Sequence, residues 1–118
     1  MNRLAAFAVL AVAILVAGVG ALLYRASTSP SSVQVSISNY SFSPSTLNVQ
    51  VGTIVRWVNF DSVGHTVTFG GQDSIGSGMD SGLMGHMKSF TTTFTEPGVH
   101  EYHCDPHPYM TGAIIVSG

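Results

Sequence analysis

Alternation of apolar and polar positions dominates the chain after residue 30. Val33, Val35 and Ile37 alternate with Gln34, Ser36 and Ser38, the period of a half-buried β-strand. Leu47, Val49 and Val51 repeat the pattern and stop at Gly52-Thr53. Ile54, Val55, Trp57 and Val58 follow, then His65 to Phe69, Phe90 to Phe94, Val99 to Cys104 and Ala113 to Val116. No window beyond residue 30 carries a sustained helical stripe. Short strands with turn residues between them predict an all-β sandwich or barrel. The stretch Gly70 to Lys88 breaks the pattern: rich in Gly, Ser and Asp, it reads as a long loop with a short turn or strand near Ser81 to Met84.

The N-terminus follows a different rule. Leu4 to Tyr24 carries no charge and is bracketed by Arg3 and Arg25. About 20 apolar residues cross a bilayer core as a helix, whereas a signal-peptide core is usually about 7–15 long. Length therefore favours a retained anchor over residues 1–25, with the remainder outside the cytoplasm, periplasmic or extracellular. The rival reading is a cleaved signal and a secreted protein, because Val19-Gly20-Ala21 offers small residues to a peptidase. Residues 26–32 are a polar, Pro-containing linker with nothing to bury. The functional domain is then 33–118.

Composition narrows the function. The chain has 118 residues, enough for one such domain, and charged residues are only 8% of it, against about 25% in ordinary soluble proteins. Four scattered cations cannot line a groove for nucleic acid. Residues 33–118 hold two cations and six acids, a formal charge of −4, which suits a soluble monomeric domain and could steer a basic partner. The single cysteine rules out an intramolecular disulfide framework, a Cys-rich zinc site and a cysteine-ligated iron–sulfur cluster. It also rules out a dinuclear copper centre bridged by two cysteines.

The chemistry concentrates in His103-Cys104-Asp105-Pro106-His107-Pro108-Tyr109-Met110. Cys104, His107 and Met110 are spaced by three directly after a strand, and two prolines stiffen the loop between them. A thiolate, an imidazole and a thioether make a soft nitrogen-and-sulfur site that suits copper better than zinc. The set needs a second imidazole, and His65, heading a strand after Asp61-Ser62-Val63-Gly64, can reach the same end of a sandwich.

These features resemble the cupredoxins, the type 1 blue copper proteins. The ligand loop is most similar to that of the amicyanins, then the plastocyanins. The resemblance covers Val33 to Gly118. It rests on Phe42-Ser43-Pro44, Gly52-Thr53-Ile54-Val55-Arg56-Trp57-Val58-Asn59, His65-Thr66-Val67, Glu96-Pro97-Gly98, Tyr102-His103-Cys104 and His107-Pro108-Tyr109-Met110-Thr111-Gly112. It implies a Greek-key β-sandwich holding one copper ion, with His65, Cys104 and His107 as strong ligands and Met110 as the weak axial one. It also implies an electron carrier rather than an enzyme, docking redox proteins on an apolar patch around His107, with Pro108 and Tyr109 in it. Two other functions stay open at this point. One is an enzyme acting on nitric oxide or nitrite, which needs an open copper position or a second metal at His103, and the other is copper storage or delivery through the loop that carries Met79, Met84, His86 and Met87.

Outside the ligand set, alternation turns His103 away from the face that Cys104 occupies. His100 shares a face with Tyr102 and reads as a packing residue. Asn39-Tyr40-Ser41 matches a glycosylation sequon.

Overall fold

The computed structural model describes residues 29–70 and 78–118. The apolar run read as an anchor lies outside them, as does part of the linker. Among the described residues there is no helix long and apolar enough to cross a membrane.

Eight strands form two four-stranded sheets. In chain order they are β1 (Ser32–Ser38), β2 (Ser41–Ser43), β3 (Thr46–Gln50), β4 (Ile54–Asn59), β5 (Thr68–Phe69), β6 (Ser89–Thr93), β7 (Gly98–His103) and β8 (Thr111–Ser117). The first sheet runs β2-β1-β4-β6 and the second β3-β8-β7-β5. In the first, β1 pairs parallel with β4, so Ser38 and Asn59 end at the same edge of the sandwich. In the second, β7 and β8 are antiparallel with His103 opposite Thr111.

The core follows from the alternation. Val35, Ile37, Val55 and Trp57 of the first sheet face Val49, Phe69, Tyr102, Ile114 and Val116 of the second, all buried. Trp57 centres it, with the rings of Tyr102, Phe69 and Phe90 at 5.4, 5.8 and 5.8 Å. Their offset, mostly edge-on packing is the favoured aromatic arrangement. Gly112 is required opposite Tyr102: a Cβ there would sit 2.4 Å from the phenol ring and its oxygen. Burial pushes the Tyr102 hydroxyl up to about 12, tempered by the nearby Trp57 indole N–H. Neither that indole nitrogen nor the phenol oxygen has a partner within hydrogen-bond geometry.

Two expectations need correction. The strand expected from His65 to Phe69 is a ladder only at Thr68–Phe69. Upstream of it the chain pairs irregularly with the segment 79–84: His65 bridges Met84, Thr68 bridges Asp80, and Val67 exchanges bonds with Ser81. The short turn or strand expected near Ser81 to Met84 is this same set of bridges, interrupted by Gly78 and Gly82 at φ +97° and +72°. An irregular cover of this kind protects an edge strand from pairing with another chain. Sequence alternation also passed over β2, which is only three residues long and pairs with β1 across the Asn39-Tyr40 turn.

Candidate metal centre

His65, Cys104 and His107 meet where β1, β4 and β7 end. His65 sits on the loop between β4 and β5. Cys104 follows β7 directly, and His107 lies on the loop that leads into β8. Three backbone bonds wind that loop tightly: Cys104 N–H to the Met110 carbonyl, His107 N–H to that of Cys104, and Met110 N–H to that of His107. Pro106 and Pro108 carry no N–H, so the loop has no amide donors to satisfy at those positions.

The donor atoms form a nearly equilateral triangle. Cys104 Sγ lies 3.6 Å from His65 Nδ1 and 3.4 Å from His107 Nδ1, and the two Nδ1 atoms are 3.2 Å apart. The centre of such a triangle is about 2 Å from each corner, the length of a metal–nitrogen bond. His65 and Cys104 are fully buried and His107 is half-buried. Met110 is also buried and belongs to the core cluster, its carbonyl accepting the Cys104 amide.

Two of the three donors, His65 and Cys104, are oriented by hydrogen bonds from behind. The Asp61 carboxylate accepts from His65 Nε2 at 2.8 Å, which puts the imidazole proton on Nε2 and turns the Nδ1 lone pair toward Cys104. Burial works against the charge on Asp61. The Tyr40 and Asn39 amides, at 3.0 and 2.8 Å, together with His65, outweigh it and hold its pKa below the ordinary carboxylate value. Asn59, fully buried, accepts the Asp61 amide and donates to the Val63 and Met84 carbonyls, fixing the loop that carries His65. Thr66 N–H donates to Cys104 Sγ at 3.4 Å, and the Thr66 hydroxyl accepts the Asp105 amide at 2.8 Å.

An apolar rim surrounds the site. Tyr40 and Tyr109 pack against the His107 ring, Leu83 lies over Gly64, and Val63 stands beside it, all four with exposed side chains.

The other sequence candidates lie elsewhere. His103 faces outward and is paired with Asp105 at 2.9 Å. His100 is buried, donates to the Glu96 carbonyl and packs on Phe94, as a core residue should. The Met79, Met84 and Met87 thioethers occupy three environments: Met79 accepts the Thr92 hydroxyl, Met84 is in the core and Met87 is exposed. His86 is exposed and bonded to the Asp61 carbonyl. Sequence reasoning missed Tyr40, Asp61 and Thr66 as parts of the site. Asp61 carried a faint signal, a carboxylate four residues before a candidate ligand. Tyr40 carried none, because a turn between two strands brings it there.

A soft, preoriented trigonal set at one end of a two-sheet sandwich is a cupredoxin copper centre. Residues 30–117 match the model of the copper binding proteins of the plastocyanin/azurin family, and the chain belongs to that family. Its cofactor is one copper ion. Amicyanin from Paracoccus denitrificans is 32% identical over 84 residues, covering 71% of this chain and 64% of the relative, just under two thirds of its length. Plastocyanin from Daucus carota is 33% identical over 85 residues, covering 64% of this chain and 87% of the relative. A Cu(I) structure of an amicyanin variant superimposes with a TM-score of 0.68 at 30% identity, covering 78% of this chain and 88% of that one.

Proposed function

We propose that the protein is a one-electron carrier. In this reading His65 Nδ1, Cys104 Sγ and His107 Nδ1 are the strong donors and the Met110 thioether is the weak axial one. Copper, when bound, supplies the one-electron couple between Cu(I) and Cu(II). The chain's part is to keep one ligand arrangement tolerable to both states. Asp61 fixes the His65 ring, the Thr66 amide stabilises the thiolate, and the prolines and backbone bonds of 104–110 hold the loop. With every ligand position filled by protein, a substrate has no vacancy to enter.

The observation that carries this reading is the convergence of three donor atoms at 3.2–3.6 Å, with hydrogen bonds from Asp61 and Thr66 already orienting His65 and Cys104. The outward pairing of His103 supports a carrier over an enzyme with a second metal beside Cys104. The separate environments of the three methionines weigh against storage through that loop. The reading extends to partners and place: redox proteins dock on the rim around His107, a contact that needs only a small interface. Residues 1–25 anchor the chain with the domain outside the cytoplasm.

The test is a redox titration of the copper-loaded chain with self-exchange measured by NMR. A carrier gives one reversible one-electron wave and fast exchange, and Met110→Gln moves the potential while copper stays bound. Turnover of nitrite or nitric oxide, or loss of copper from Met110→Gln, contradicts the assignment.

A further inference from the structure

Tyr40 stands in an unusual backbone position. Asn39 and Tyr40 both lie in the left-handed region, at φ +53° and +57°. That conformation suits Asn in a two-residue hairpin turn but is a strained outlier for a bulky aromatic. Glycine at position 40 would serve the turn better.

The strain coincides with a contact. From this position the Tyr40 ring meets both imidazoles edge-to-face, its centroid 5.2 Å from that of His65 and 4.9 Å from that of His107. The amides of the same two turn residues close on the Asp61 carboxylate, whose Oδ2 also binds His65 Nε2. Turn, carboxylate and imidazole therefore form one closed unit. Asp61 fixes His65 through its nitrogen, while His107, half-buried and on a loop, has the Tyr40 and Tyr109 rings against its face or edge. Tyr109 is the more distant of the two, at 6.1 Å, and is mostly exposed.

We infer that Tyr40 is a positioning residue, held in a strained turn so that its ring keeps the His65 and His107 imidazoles in binding geometry before the metal arrives. The inference rests on the copper-site reading above and adds to it where the preorganisation comes from. It assigns the ring, not the hydroxyl, as the working part.

Two variants of the full chain separate this role from a purely structural one. Tyr40→Gly removes the ring while relieving the backbone strain, and Tyr40→Phe keeps the ring. Cu(II) affinity by competition titration is expected to fall tenfold or more in Tyr40→Gly, the scale of losing an outer-shell partner, and to stay at the parent value in Tyr40→Phe. In the metal-free proteins, the His107 ring-proton resonances broaden in Tyr40→Gly and stay sharp in Tyr40→Phe. If Tyr40→Gly is too unstable to titrate, Tyr40→Leu against Tyr40→Phe gives the same comparison. Parent-like affinity and sharp His107 resonances in the ring-less variant overturn the inference. Failure of the parent itself to bind Cu(II) through Cys104 would instead sink the copper-site reading, and the metal-free resonances would still report on Tyr40.

Discussion

Thr66 grips Cys104 from two directions: its amide donates to the sulfur at 3.4 Å, and its hydroxyl accepts the amide of the next residue, Asp105, at 2.8 Å. The residue after one candidate ligand thus ties down another ligand almost forty positions away. Thr66→Val keeps the backbone bond and removes both hydroxyl ones, leaving the Asp105 amide and the Thr68 hydroxyl without this partner. A loss of about 1–2 kcal/mol in stability is expected, measured by urea unfolding of the metal-free protein, with copper binding retained.

Asp61 links the turn of Asn39 and Tyr40 to His65. Because its pKa is lowered on folding, its contribution is present above the ordinary carboxylate range and is lost as pH falls through its folded value. Asp61→Asn should flatten the acid limb of the stability curve of the metal-free protein below about pH 4. An unchanged acid limb would show that the carboxylate adds nothing to folding.

Tyr102 makes the opposite prediction at alkaline pH. Its hydroxyl is raised from 10.0 to about 12, so the unfolded chain ionises first. Stability attributable to this group is intact below pH 10 and is lost as pH rises toward about 12, by up to roughly 1.4 kcal/mol per pH unit. Tyr102→Phe removes that slope. Since the phenol oxygen has no hydrogen-bond partner, the change at pH 7 should stay within about 1 kcal/mol. Urea midpoints between pH 7 and 11 read both effects.

Gly112→Ala tests the close approach on β8. The new methyl group would fall 2.4 Å from the Tyr102 phenol inside the core, and neither strand can move without disturbing the ligand loop between them. A loss of about 3 kcal/mol, or more, is expected from such overpacking. A thermal midpoint matching the parent's would mean that Tyr102 has room to swing aside.

Much of this architecture was legible in the sequence because its signals are periodic. The alternation around Val35, Val49 and Ile114 marked strands whose inner residues are now buried, and the spacing of Cys104 and His107 marked two of the three donors that converge. The irregular parts were not legible. The bridges of His65 and Val67 to residues 81–84 depend on glycine turns that have no period. Tyr40 stood out only as the middle residue of a sequon, since nothing in a linear reading says which ring a hairpin turn will lay across a site. Asp61 and Thr66 work through single hydrogen bonds across long sequence separations, and such pairings become visible only when the strands are assembled.

The most direct test is a Cu(II) titration of the full chain followed in the visible spectrum. The proposed ligand set predicts an intense thiolate-to-copper charge-transfer band that saturates at one ion per chain and disappears in Cys104→Ser. A spectrum without such a band, or a band that survives Cys104→Ser, contradicts it.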